Sequence, residues 1–281
     1  MPLPIQVRVA FLMSAALFVA GDRARAADPE WVAPMKTVHA GFTGTPGALG
    51  LFGDSITYSL AFWAPWEYAP KTLDPEMAKA LATVRGYTKA DCWRKWRGRE
   101  YGNESGQTTR WAQENVDSWL KKLNPEVVVL MFGTNDLAQT DTKTYEAQTR
   151  AVVDKCLKNG TVVILTTIPP RSGAVEKSKV FAAAERKIAT EKKLPLIDYQ
   201  AEILARRPDD WDGTLPKFKE AAKDVYQVPT LIAADGTHPS NPSAFNDYSD
   251  TALKTNGFQL RNVLTLRVYA DVIRQVLLAG K

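Results

Sequence analysis

Leu49-Gly50-Leu51-Phe52-Gly53-Asp54-Ser55-Ile56-Thr57 is the stretch whose reading decides the fold. It is a short apolar strand that stops at Gly53 and presents a serine on the turn into a segment with helical character. Ser55 therefore sits where a strand's carboxyl end meets a helix amino terminus. Free backbone N–H groups and the positive end of the helix dipole favour negative charge there. Taken alone, Asp-Ser after a strand is also an ordinary helix N-cap.

Working outward, the same grammar recurs. Thr108 to Leu123 carries Trp111, Val116, Trp119, Leu120 and Leu123 at helical spacing. Glu126 to Phe132 is a continuous Val/Leu run, as expected of a strand buried on both faces. A helix over 144–158 closes at Gly160, and a second buried strand over 161–168 is stopped by Pro169-Pro170. An amphipathic helix over 175–193, a short strand over 194–198 and a closing helix over 258–278 follow. Strands alternating with helices predict a parallel sheet with right-handed crossovers and helices on both faces. Three parts resist the pattern. The segment 28–45 is Pro- and Gly-punctuated and reads as an extended lead-in. Residues 58–101 hold Trp63, Trp66, Trp93 and Trp96 and read as a helix, loops and an irregular strand near 97–102. The polar stretch 241–257 has no evident purpose.

Ligands in an open parallel sheet sit at the carboxyl ends of the strands. Polar blocks fall there or nearby: Asn103-Glu104-Ser105-Gly106, Phe132-Gly133-Thr134-Asn135-Asp136, and Asp235-Gly236-Thr237-His238-Pro239-Ser240. With Gly53-Asp54-Ser55, this ordered set resembles the SGNH (GDSL-type) esterase and acyl-hydrolase family over about 49–239. Ser55, Gly106, Asn135 and His238 match its four letters, and Asp235 matches the acid of its triad. The resemblance implies a flavodoxin-like, three-layer α/β/α fold. It also implies acyl transfer with Ser55 as nucleophile, His238 as base and Asp235 as its orienting acid. The Ser55 and Gly106 N–H groups and the Asn135 amide would form the oxyanion hole. By the same token, residues 58–101 look longer than this part of the family usually is.

The residues themselves support those roles. Only His39 and His238 occur, and His39 lies in the lead-in. Asp54 reads as a cap or turn residue and Asp136 as a partner of its own turn. No Gly-x-Ser-x-Gly elbow surrounds Ser55, which disfavours the α/β-hydrolase fold. No His-Glu-x-x-His or Cys-x-x-Cys occurs, so neither metal nor cofactor is expected. Asn103-Glu104-Ser105 and Asn159-Gly160-Thr161 match the glycosylation sequon and read as chance.

The chain has 281 residues, 45% hydrophobic and 24% charged, which is globular composition with room for one ordinary domain over 27–281. Arg8, the apolar run 9–20 and Ala24-Arg25-Ala26 read as a signal peptide over 1–26, implying a secreted or periplasmic protein; an uncleaved anchor is the alternative. The run is short for a bilayer span, so no stable membrane insertion is expected after cleavage. Cleavage takes three of 36 basic and one of 31 acidic residues, leaving +3. That bias and the lack of a dense basic run argue against nucleic acid. Cys92 and Cys156 could pair in an oxidising compartment or remain two buried thiols.

A small-molecule or carbohydrate ester is the expected substrate. Tryptophan faces stack on sugar rings, which favours an O-acylated carbohydrate; the plainer reading is that most of the eight Trp fill the core. No long apolar segment reads as a lipid-accepting lid, so short acyl groups, acetyl above all, are expected. An O-acetyltransferase, a lysophospholipase or thioesterase, and a silent carbohydrate-binding module are the alternatives.

Overall fold

The computed structural model describes residues 28–279 except Lys223 and Ser243. The expected signal segment lies outside the described residues. Four strands, β1 (Leu49–Gly53), β2 (Val127–Met131), β3 (Val162–Thr166) and β4 (Leu196–Ile197), form a parallel sheet in the order β1-β2-β3-β4. Leu49 pairs with Val127, Val127 with Val162, and Leu165 with Leu196. Every residue of β1, β2 and β3 is buried, which is why their sequences run apolar without alternation.

The helices in chain order are α1 (Val32–His39), α2 (Ser55–Tyr58), α3 (Pro75–Tyr87), α4 (Asp91–Arg94), α5 (Thr109–Leu123), α6 (Asp136–Gln139), α7 (Thr142–Lys158), α8 (Val175–Lys192), α9 (Tyr199–Arg206), α10 (Ala252–Thr255) and α11 (Gly257–Val272). The α5, α7 and α8 helices pack side by side over one face of the sheet, and α1, α3 and α11 group over the other. This is the expected three-layer α/β/α arrangement. Among the described residues no helix is long and apolar enough to cross a membrane.

Two expectations are corrected. The lead-in is not extended throughout: Val32 and Met35 bury one face of α1. Pro34 is compatible because it lies in the first helical turn, where the backbone N–H has no intrahelical partner to lose. The irregular strand near 97–102 is instead a turn of 3₁₀ helix, Arg99–Tyr101. Gly98 and Gly102, with φ of +102° and +84°, bracket it and break any extended run. What survives of the strand is one parallel bridge, Gly53 to Asn103, flanked by Gly53 N donating to Gly102 O at 3.0 Å and Glu104 N to Gly53 O at 3.2 Å. These bonds tie the second polar block directly to the end of β1.

Cys92 and Cys156 are free, buried thiols. Burial pushes both thiols up to about 12; Cys92 Sγ accepts from Leu49 N at 3.3 Å and donates to Gly47 O at 3.6 Å. The tryptophans fill the interior. Trp63, Trp66, Trp93, Trp111, Trp119 and Trp211 are buried, and Trp31 and Trp96 are half-buried.

Candidate functional site

The turn after β1 has no room for variation. A Cβ on Gly53 would collide with the Thr57 hydroxyl and the Met131 carbonyl. Asp54 then caps α2, its carboxylate accepting from Ile56 N at 3.0 Å. A four-residue helix leaves most of its carbonyls without intrahelical donors, and two arginines supply them. Arg261, fully buried on α11, donates to Ile56 O and the Thr57 hydroxyl, each at 2.9 Å, and lies 3.6 Å from the Phe62 ring centroid. Arg97 donates to Thr57 O at 2.5 Å and Tyr58 O at 3.3 Å, and reaches past the helix to Ser59 O at 3.2 Å and Phe62 O at 2.7 Å. Burial pushes the Asp54 carboxyl up to about 6, against the pull of Ile56 N and the nearby Arg261. Asp54 is thus a cap, as its sequence context suggested.

Ser55 Oγ lies 2.8 Å from His238 Nε2, and His238 Nδ1 lies 2.6 Å from Asp235 Oδ2. The other Asp235 oxygen accepts from the Thr237 and His238 backbone N–H groups, each at 2.9 Å. Asp235 is thus held on both sides of its carboxylate, and it fixes the imidazole with Nδ1 toward the acid and Nε2 toward the serine. Burial opposes ionisation of Asp235, yet the His238 side-chain bond and these backbone donors hold it below its ordinary value. His238 moves the other way. The bond to Asp235 raises it, burial lowers it, and the Asp235 and Asp54 charges add to the rise.

The histidine loop is braced against the strand ends. Ser172 N donates to Gly236 O at 2.8 Å, Arg171 donates to Thr134 O at 2.8 Å, and Ala233 N donates to His238 O at 2.8 Å. The Pro169-Pro170-Arg171-Ser172 turn therefore couples the Asn135 block to the His238 block.

Gly106 and Asn135 line the same cleft as Ser55 and His238. Gly106 has φ of +76°, a conformation that glycine adopts without steric cost. Asn135 Nδ2 donates to Gln107 O at 2.9 Å, which leaves the second hydrogen of that amide. Asp136 turns away from the cleft and accepts from Thr109 N at 3.1 Å and from the Thr109 hydroxyl. Asn103, within the second block, is completely buried. It donates to Leu51 O at 2.9 Å and accepts from Gly98 N at 3.0 Å, so its sequon is closed to a glycan in the folded chain. Four of the five residues singled out by the sequence, Ser55, Gly106, Asn135 and His238, line one cleft of about 720 Å³, and the fifth, Asp235, stands behind His238, bonded to its Nδ1.

Other cleft residues carried no sequence signal. Tyr58, one helical turn after Ser55, is 40% exposed at the rim, and Phe258 closes the floor from α11. Asp224, Tyr226 and Gln227 form a wall beside His238. The Tyr226 ring stands edge-on to the imidazole at 5.8 Å, and Asp224 ties the wall by accepting from Tyr226 N and Gln227 N. No tryptophan lines the cleft, so the stacking argument for a carbohydrate from Trp faces fails: those rings are spent on the core.

The GDSL-like lipase/acylhydrolase family matches residues 51–242. Among solved structures, a GDSL-like lipase from Bacteroides thetaiotaomicron is similar at 19% identity and TM-score 0.43, covering 76% of this chain and 92% of that one. A lipase/acylhydrolase from Enterococcus faecalis is similar at 18% identity and TM-score 0.47, covering 79% and 94%. An acetylxylan esterase from Geobacillus stearothermophilus is similar at 15% identity and TM-score 0.47, covering 84% and 96%. No curated protein matches the chain. With more than half of its length matched, the chain belongs to the GDSL-like lipase/acylhydrolase family and is an ester-hydrolysing enzyme.

Proposed function

We propose that Ser55, His238 and Asp235 carry out ester hydrolysis through a covalent acyl-enzyme. The observation that carries this reading is the unbroken chain Ser55 Oγ–His238 Nε2–Asp235, at 2.8 Å and 2.6 Å, opening on the cleft that Gly106 and Asn135 also line. Neutral His238 takes the Ser55 proton as Oγ attacks the ester carbonyl carbon. The carbonyl oxygen becomes an oxyanion, and the Ser55 and Gly106 N–H groups and the remaining Asn135 amide hydrogen stabilise it. His238 then gives its proton to the leaving alcohol oxygen, and the C–O bond breaks. Water enters, loses a proton to His238, attacks the acyl-enzyme and releases the carboxylic acid, and Oγ regains its proton. Asp235 stays ionised throughout and stabilises the imidazolium.

The leaving alcohol must lie within reach of His238 Nε2, beside Asp224, Tyr226 and Gln227. That polar wall suits a hydroxylated alcohol, and a carbohydrate ester is the substrate class it favours on the alcohol side. Export to the periplasm or medium belongs to the same proposal and rests on Arg8, the apolar run 9–20 and Ala24-Arg25-Ala26. The amino-terminal residue of the mature protein checks it: Ala27 supports cleavage, and a retained Met1 contradicts it. Ser55→Ala tests the chemistry. It should abolish hydrolysis of nitrophenyl esters with the melting temperature intact; retained turnover would remove Ser55 from the mechanism.

A further inference from the structure

Glu185 shares the buried stripe of α8 with Phe181, Ala182, Ile188 and Ala189, and it is 1% exposed. Leu130, Phe132, Val152 and Leu165 line the same internal pocket. Among the described residues no cation pairs with it: the neighbouring Arg186 is bonded to Asp198, at 2.6 Å and 2.8 Å. Glu185 Oε2 accepts from Ile168 N at 2.9 Å, and Oε1 lies 2.7 Å from the Tyr145 hydroxyl, which also meets Phe132 O at 3.0 Å. These contacts replace a rung of the sheet. Val162 N donates to Glu126 O, and the same register six residues further along both strands would join Ile168 N to Phe132 O. Instead Ile168 N goes to Glu185 and Phe132 O to Tyr145. Here the two chains part, one toward the Asn135 block and the other toward the Pro169 turn.

The Tyr145 hydroxyl has one hydrogen and two acceptors within reach. An ionised Glu185 that took this hydrogen would leave Phe132 O against a hydroxyl lone pair. Left to Phe132, the same hydrogen would put that lone pair against Glu185 Oε1. Either way a buried acceptor goes without a donor, which costs more than an ordinary hydrogen bond gains. One added proton resolves both contacts. Glu185 Oε1–H donates to Tyr145 Oη, the Tyr145 hydrogen goes to Phe132 O, and Oε2 keeps Ile168 N. Burial favours the same state: it pushes the carboxyl up to about 8, against the Tyr145 and Ile168 donors and the Arg186 charge, and the Asp198 charge adds to the rise. Tyr145 of α7, Arg186 of α8 and Asp198 before α9 are the titratable groups that face Glu185, and Asp136 acts on the Tyr145 end.

The clip reaches the site through the backbone. A Cβ on Gly133 would lie 2.7 Å from the Tyr145 hydroxyl and 2.8 Å from Ile168 Cγ2, so the Gly133-Thr134-Asn135 turn rests on these two residues. Ile168 also opens the Pro169-Pro170-Arg171-Ser172 turn, whose Arg171 and Ser172 hold Thr134 O and Gly236 O. We propose that Glu185 is a neutral acid and the positioning residue that, through Tyr145 and Ile168, sets the Asn135 donor against the Ser55–His238 pair. The positioning role rests on the esterase reading above; the protonation state stands apart from it.

Denaturant unfolding of the wild type and Glu185→Gln across pH tests the neutral acid. A carboxyl raised in the folded state stabilises the fold in full below its ordinary value of 4.5 and loses that contribution as pH rises toward about 8. Relative to Glu185→Gln, the wild-type folding constant should therefore fall about tenfold per pH unit between about 5.5 and 7.5. A gap that does not change with pH overturns the neutral acid. Nitrophenyl acetate kinetics test the positioning. Tyr145→Phe and Glu185→Leu break the relay, and each should lower kcat per folded molecule about tenfold with KM unchanged. Glu185→Gln copies the neutral acid, donating to Tyr145 Oη and accepting from Ile168 N, and should restore kcat to within about twofold. In an Asn135→Ala background Tyr145→Phe should cost little more, because the donor it positions is already gone. Normal kcat in Tyr145→Phe, a loss that multiplies fully with Asn135→Ala, or a Glu185→Gln variant as impaired as Glu185→Leu overturns the positioning role. Failure of the esterase reading is distinct: Ser55→Ala would retain turnover, whatever the Glu185 variants do.

Discussion

The protein's two histidines each face a carboxylate, at opposite ends of the same sheet. His238 Nδ1 meets Asp235 at 2.6 Å at the carboxyl end; His39 Nε2 meets Glu126 at 2.8 Å, where Glu126 leads into β2 at the amino end. The distances are alike and the surroundings are not. Glu126 is almost wholly buried and also accepts from Gly47 N at 2.6 Å and from the Tyr87 hydroxyl at 2.9 Å. Its carboxylate is saturated by fixed donors, and it ties α1, the approach to β1 and α3 together. His39 packs its ring on Phe42 and meets no hydroxyl nucleophile. His238 instead has a serine on its second nitrogen, a cleft in front, and backbone donors holding its acid. A His–carboxylate pair is therefore only a strut until a hydroxyl, a cavity and a set of oxyanion donors are aligned with it. In a parallel sheet that alignment falls at the carboxyl ends, where strand meets helix amino terminus.

Removing each histidine breaks the comparison most sharply. His238→Ala should lower kcat by about 10⁵–10⁶ with little change in melting temperature, because the proposed base is lost and no fold contact of consequence goes with it. His39→Ala should do the reverse. It takes one donor from a buried carboxylate and should cost about 1–3 kcal/mol of stability, with kcat of the folded fraction unchanged. Melting temperature and kcat measured on both variants decide the matter; a collapse of kcat in the His39 variant would mean that the amino-end pair reaches the chemistry.

Asp235→Asn should come next, costing about 10⁴ in kcat, since the imidazole loses its orientation and the charge that stabilises its protonated form. The pH profile sharpens this. His238 is raised above the usual 6.5 chiefly by Asp235, and the deprotonated form is the base, so the acidic limb of kcat/KM should lie above 6.5 in the wild type. The limb should move down in Asp235→Asn. An unmoved limb would assign the rise to something other than Asp235.

Much of this was legible in the sequence, for a physical reason. The buried parallel strands must be apolar throughout, so β1, β2 and β3 stand out within a residue or two. The polar residues that interrupt them at Ser55 and Asn135 mark the strand ends. Where local signals conflicted, the sequence misled. Pro29, Pro34 and the glycines at 41, 44 and 47 hid α1, because a proline in the first helical turn looks the same on paper as one that breaks a helix. The irregular second strand lost to positive-φ glycines at 98 and 102. Tryptophan richness suggested a sugar-binding face, yet Trp63, Trp66 and Trp93 are buried: Trp63 stands edge-on to Tyr269 of α11, Trp66 Nε1 donates to Asn262 O of the same helix, and Trp93 stacks on Trp63. Tyr226 and Phe258 stayed invisible because tertiary contact between distant segments, not spacing along one, brings them to the cleft.

A smaller effect is expected at Asn135, whose amide already spends one hydrogen on Gln107 O. If the other meets the oxyanion, Asn135→Ala should lower kcat by about 10²–10³ with little change in KM, since the contact matters once the oxygen is charged. Asn135→Asp should be worse, because repulsion is added to a missing donor. Loss of melting temperature with near-normal kcat per folded molecule would make Asn135 a brace for its turn instead.

The most direct measurement is stoichiometric labelling with a fluorophosphonate, read by mass spectrometry of the modified peptide, on the wild type and on His238→Ala and His39→Ala. Because His238 alone faces the Ser55 hydroxyl, at 2.8 Å, we expect one equivalent on Ser55 in the wild type and in His39→Ala, and labelling slowed by orders of magnitude in His238→Ala. An adduct on any other serine, or equal rates with and without His238, would contradict the assignment of Ser55 and His238 as the reacting pair.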